Sequence, residues 1–292
     1  MEELILNEFN KNFNLNLNSI RTEKLILNTN FIEENIGILN YFKELKELSL
    51  NKISNISLLE KLNFKELKKL FLYFNNISDI NFLEKVKFLK LEKLDLNSNN
   101  ISDINILAKV NFKELKELYL SYNKISDINI LAKVNFKELK ELYLSNNNIS
   151  DINILAKVNF KELKELSLSN NNISDINILA KVEFLKLEKL YLNNNNISDI
   201  GALKNMYLGE LTSLDLSNNN ISSIIILNKV YFRKLKMLHL YNNKLNIIIE
   251  NFTNELHNPN LRTIYYLNSK FYDNGIRIFI DDIKYIWNRW DR

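Results

Sequence analysis

The chain repeats itself every 24 residues over most of its length. The string Leu115-Lys-Glu-Leu118-Tyr-Leu120-Ser-Tyr-Asn123-Lys-Ile125-Ser-Asp-Ile128 restarts at Leu67, Leu91, Leu139, Leu163, Leu187, Leu211 and Leu235, at a constant step of 24 residues. A fixed period of this size means one supersecondary unit per repeat, and one such unit cannot bury its own apolar face. Stacked units bury it for one another, so the period predicts an open solenoid in which each coil touches only its neighbours. In 292 residues, 46% of them hydrophobic, there is enough apolar material for a continuous core. The repeat therefore overrides the one or two compact domains that length alone suggests.

Each segment of the repeat has a physical reading. Leu118-Tyr119-Leu120 alternates with period two, so its leucines point to one side and Tyr119 to the other, as in one short strand per coil. Asn recurs three residues after the second strand leucine, at Asn75, Asn99, Asn123, Asn147, Asn171, Asn195, Asn219 and Asn243. An amide carries donors and an acceptor, so a buried Asn there is expected to satisfy backbone groups in its own turn and in the next coil. The chain has only four glycines and one proline, which leaves the tight turns to Asn. Asp79, Asp103, Asp127, Asp151, Asp175 and Asp199 stand where they can cap a short helix or single helical turn. Ile128, Leu131 and Val134, spaced by three, suit one apolar face of that segment. Phe64, Phe88, Phe112, Phe136, Phe160, Phe184 and Phe232 add a further apolar column, read as core.

The spacing L-x-x-L-x-L-x-x-N-x-L is identified as that of the leucine-rich-repeat family. With Asn-Asn-Ile-Ser-Asp-Ile it resembles the repeats of bacterial internalins and of phosphatase-regulator proteins, from about residue 22 to about 260. The resemblance implies an α/β fold: a right-handed horseshoe solenoid with a parallel sheet on its concave side and short helices or helical turns on its convex side. Those relatives repeat about every 22 residues. Here two more fall in Val134-Asn-Phe136-Lys-Glu and thicken the convex side.

The resemblance also implies a protein or peptide partner on the concave face. Between the two strand leucines this face carries Phe71, Asp95, Tyr119, Tyr143, Tyr191, Asp215 and His239, and the positions just after add Tyr73, Phe74, Tyr122 and Tyr241. With strands ~4.8 Å apart, about ten coils give a strip on the order of 45 Å long. Exposed aromatics suit interface hot spots, and Phe71, Tyr73 and Phe74 form the densest group. Packing against the neighbouring short coil is the competing reading of these three. The central coils are nearly identical, which points to recent duplication. The divergent coils near residues 67–98 and 211–245 are therefore the informative ones.

Both ends depart from the period. Residues 1–21 are expected to form an N-terminal cap, residues 22–260 the repeats, and residues 261–292 a degraded last strand and C-terminal cap containing Trp287 and Trp290. Residues 276–286 fit either a strand or an amphipathic helix. The step from Leu45 to Leu67 is only 22 residues. Two are missing just after Leu48-Ser49-Leu50, which leaves Asn51 to serve that coil as its buried Asn.

Composition excludes several functions. The 39 basic and 35 acidic residues give a net charge of +4, but they alternate locally, as in Lys113-Glu114. That is a solvated mixed surface with no basic stripe for nucleic acid. No stretch approaches the ~18 apolar residues of a membrane span, and the acidic start Met1-Glu2-Glu3 is no signal peptide. A cytoplasmic monomer without nucleic-acid or membrane partners is expected. The absence of cysteine excludes disulfides, thiolate metal sites and thioester chemistry. His239 and His257 are the only histidines. Asp215 lies one coil from His239, but no nucleophile, phosphate loop or ligand cluster accompanies the pair. No catalytic residue, metal or cofactor is expected, and the chain reads as a non-enzymatic protein-binding scaffold. The alternative is a structural protein that associates with copies of itself, which a mass measurement in dilute solution separates from the first.

Overall fold

The computed structural model describes residues 2–13, 17, 19–28, 36–53 and 55–245, together with the backbone of 263–265. The expectations for Pro259, His257, the two tryptophans and residues 276–286 lie outside these residues.

Eleven strands form one parallel sheet in sequence order. They are β1 (Lys24–Asn28), β2 (Glu47–Asn51), β3 (Lys69–Phe71), β4 (Lys93–Asp95), β5 (Glu117–Tyr119) and β6 (Glu141–Tyr143). Then come β7 (Glu165–Ser167), β8 (Lys189–Tyr191), β9 (Ser213–Asp215), β10 (Met237–His239) and β11 (Thr263–Tyr265). Pairing is in register with the repeat: Leu70, Leu94, Leu118 and Leu142 lie side by side, each fully buried. A helix, α1 (Glu2–Phe13), precedes β1 and packs Phe9 on Phe42 with ring centroids 4.8 Å apart.

Between successive strands from β1 to β10 the chain returns through one short 3₁₀ helix per coil, Asn129–Ala132 being typical. A 3₁₀ helix has three residues per turn, which is why apolar residues spaced by three face the core. Ile128 and Leu131 are buried and Val134 packs against the core's edge. The aspartates act just ahead of these helices. The Asp127 carboxylate accepts the Asn129 N–H at 2.8 Å, and Asp79, Asp103, Asp151, Asp175 and Asp199 do the same in their coils. The two extra residues per repeat seat Phe136 in the core, and its carbonyl accepts the Leu139 N–H. The other six phenylalanines of that column are also buried, and Leu208 fills the place in the coil that lacks one.

The recurrent Asn is a buried ladder. Asn123 donates to the carbonyls of Leu120 and Ser121 in its own turn and to Leu96 of the coil before, while its Oδ1 accepts the Ile101 N–H at 3.0 Å. The same contacts recur from Asn99 to Asn243. The expected reach into the next coil is thus reversed, because each Asn completes its predecessor. Asn51 is not a rung. It lies in β2 with its amide 3.2 Å from the carbonyls of Leu50 and Tyr73, and the first rung is Asn75, bonded to Leu50 and Ile53.

The left-handed turn residue is also not the ladder Asn but the one before it. Asn146, Asn170, Asn194, Asn218 and Asn242 hold φ near +52° to +55° there, and so do Ser98, Tyr122 (φ 56°) and Phe74 (φ 56°). Asn tolerates this region, whereas a bulky side chain in it costs roughly 1–2 kcal/mol. The shortened coil leaves its own mark. Lys52 and Asn76 take positive φ as well, and a cleft of about 410 Å³ opens between Ile53, Ile56, Asn76, Ile77 and Phe82.

Two outcomes follow in urea denaturation. Replacing Asn147 by Leu strands the Ile125 N–H and the Leu120 carbonyl and should lower stability by about 3 kcal/mol or more, whereas Asn148→Ala at the exposed neighbour should change it by under ~0.5 kcal/mol. Tyr122→Asn, by contrast, should raise stability by about 1 kcal/mol, because it relieves the left-handed backbone.

Candidate partner-binding face

Period-two alternation brings three columns of side chains to the solvent face of the sheet. The middle column runs Ile26, Ser49, Phe71, Asp95, Tyr119, Tyr143, Ser167, Tyr191, Asp215 and His239. Phe71, Tyr119, Tyr143, Tyr191, Asp215 and His239 are partly exposed, whereas Asp95, Ser49 and Ser167 are buried between larger neighbours. The Ser49 hydroxyl is buried without a hydrogen-bond partner. Ile26, 52% exposed, extends the column at its first strand and escaped the sequence reading because its repeat is poorly formed.

The aromatic group around β3 packs on itself. Phe71 and Tyr73 meet edge to face at 6.4 Å, and Tyr73 and Phe74 at 5.8 Å. Phe74 is nevertheless 70% exposed and Tyr122, two coils on, 60% exposed. These two rings therefore carry a double cost, a left-handed backbone and an unburied apolar surface, at a position where five other coils have Asn. Tyr241 sits against His239 at the far end, with ring centroids 6.2 Å apart.

Sequence reasoning overlooked the first column, although the alternation that faces Tyr119 outward does the same for residue 117. It reads Glu47, Lys69, Lys93, Glu117, Glu141, Glu165, Lys189, Ser213 and Met237. Lys93 bonds Glu117 at 2.6 Å and lies over the Tyr119 ring at 4.0 Å and the Phe71 ring at 5.7 Å. Lys189 bonds Glu165 at 3.0 Å. Tyr119 donates its hydroxyl to Glu141 at 2.6 Å, and Tyr143 donates to Glu165. The acidic members of the middle column are occupied within their own turns. Asp95 accepts the Asn97 N–H, burial raising its carboxyl above the ordinary value, and Asp215 accepts both the N–H and the hydroxyl of Ser217.

Burial, then hydrogen bonding to the glutamates, holds the Tyr119 and Tyr143 phenols well above the ordinary value of 10.0. A proton held more tightly in the folded state stabilises it below the unfolded tyrosine pKa, and this contribution is lost as pH rises beyond it. Between about pH 9 and about pH 11, thermal stability should fall more steeply for the wild type than for the Tyr119→Phe/Tyr143→Phe variant.

Among the described residues no helix is long and apolar enough to cross a membrane. Known proteins share this architecture. The solved structure of an internalin (inlF) from Listeria monocytogenes is 28% identical, covers 91% of this chain and 88% of its own, and superposes with a TM-score of 0.54. A leucine-rich-repeat protein of Leptospira interrogans (LIC12759) reaches a TM-score of 0.57 at 23% identity, with coverages of 87% and 66%. The ectodomain of the Arabidopsis thaliana receptor kinase GASSHO1/SCHENGEN3 gives 0.54 at 22% identity, over 72% of this chain and 25% of that one. No curated protein sequence matches the chain. The family described as "Leucine Rich repeats (2 copies)" matches in overlapping pairs from residue 65 to residue 205, and "Leucine Rich Repeat" matches residues 210–228. Together these spans cover more than half of the sequence, and the chain belongs to the leucine-rich-repeat family.

Proposed function

We propose that the chain is a non-enzymatic scaffold that binds a protein or peptide partner on the solvent face of its sheet, and that it does so as a monomer. The observation that carries this reading is Phe74. Its ring is 70% exposed on a backbone with φ 56°, where later coils use Asn, so folding alone gives no reason to keep a phenylalanine there. Strained and exposed residues persist where a function uses them. Edge contacts with Tyr73, and of Tyr73 with Phe71, fix the rings before a partner arrives and so reduce the ordering cost of binding.

Other features agree. The fold can hold a partner, since the GASSHO1/SCHENGEN3 ectodomain is in complex with Casparian strip integrity factor 2. A catalytic reading of Asp215 and His239 is disfavoured because the Asp215 carboxylate is already bonded to Ser217. Affinity capture from the native source tests the proposal. The wild type should retain a partner that the Phe71→Ser/Tyr73→Ser/Phe74→Ser variant loses, with unchanged circular dichroism and the solution mass of one chain. Retained capture by the folded variant would overturn this site, and a concentration-dependent rise in mass would favour self-assembly.

A further inference from the structure

The first column of the sheet face holds two charges that its own neighbours leave unbalanced. Six successive strands read Lys69, Lys93, Glu117, Glu141, Glu165 and Lys189. Lys93 is paired with Glu117 and Lys189 with Glu165. Among the described residues this leaves Lys69, exposed and in no ion pair, and Glu141, whose carboxylate has only the Tyr119 hydroxyl. The two stand three strands apart, about 14 Å at ~4.8 Å per strand. Beside them, in the middle column, lie the partly exposed rings of Phe71, Tyr119 and Tyr143.

An extended peptide running across the strands advances ~3.3 Å per residue and turns alternate side chains to the same face. Four residues of it span about 13 Å, which matches the separation of the two charges. We infer that the partner presents an extended segment with an acidic residue over Lys69, an apolar residue two positions on over the Phe71–Tyr119 rings, and a basic residue two further on over Glu141. Two features make the charges effective. Lys93 and Glu117 cancel one another between them and so do not compete for the ligand. Lys93 is also held over two aromatic rings, which keeps the floor of the strip rigid. Like-charge placement against Lys69 or Glu141 penalises the wrong register, which gives the face selectivity as well as affinity.

This inference rests on the proposed binding face and specifies what that face recognises. Its test uses labelled peptides and the full chain. Fluorescence polarisation is followed for Gly-Ser-Asp-Thr-Leu-Thr-Arg-Ser-Gly, for the same peptide with Asp and Arg exchanged, and for controls with the charges two residues apart or both acidic. The wild type should prefer one order of the four-spaced pair by about tenfold over the controls. Lys69→Glu or Glu141→Lys alone should weaken that peptide by about tenfold, and the double exchange should shift the preference to the reversed peptide. Thermal melts of each variant guard against misfolding. Equal affinity of the folded single variants, failure of the double exchange to reverse the preference, or no binding of any peptide by the wild type would overturn the register. If the aromatic triple variant still loses the captured partner in those cases, the binding face stands and only its charge code falls.

Discussion

Each coil from β2 to β9 depends on a polar side chain that belongs to the coil after it. The turn that follows each strand exposes backbone groups to an apolar core, where an unmade hydrogen bond costs about 1–3 kcal/mol. Asn99, Asn123 and the rungs beyond them meet this demand by donating backward to a leucine carbonyl and accepting an isoleucine amide. Strand pairing alone would let neighbouring coils slide or splay. The ladder fixes their register at a second line. The 3₁₀ helices, whose period of three suits one side chain per turn facing inward, close the cross-section at a third.

Charge follows the same one-dimensional logic. All twelve ion pairs among the described residues join adjacent coils, as in Lys90–Glu66, Lys186–Glu162 and Lys234–Glu210. Exposed pairs of this kind contribute little individually. Each one instead links a coil to its neighbour, as the strand pairing does. On the sheet face, Lys69 and Glu141, which are in no ion pair among the described residues, stand beside the aromatic residues of the proposed binding strip.

Much of this was legible in the sequence because the period restates every signal from coil to coil. The inward leucines, the buried Asn column, the Phe column and the aspartates before six of the helices could all be assigned from type and spacing. What failed were statements about which neighbour a side chain serves. The alternation rule assigns Asn123 to the interior but not to the coil before it. Composition assigns the tight turns to Asn, yet in that same coil the left-handed position is held by Tyr122. The site was half legible for a similar reason. Tyr119 drew attention as an aromatic, whereas Glu117 on the same face looked like an ordinary surface charge until its strand neighbours were known. Asp95 and Asp215 looked available and are committed to their own turns.

The near-identity of the central coils has a consequence for how such a protein changes over generations. Each junction between them uses the same rung, the same strand pairing and the same helix contacts, so a duplicated coil inserts between two others without creating a new kind of interface. Length thereby becomes a digital variable, adjusted in steps of one strand spacing. An insertion between β3 and β6 would widen the gap between Lys69 and Glu141 by one such step and leave the ends of the molecule untouched. The solenoid is built like a ruler whose gradations can be copied, so that the spacing of the groups proposed for recognition changes by whole coils without any of them being redesigned.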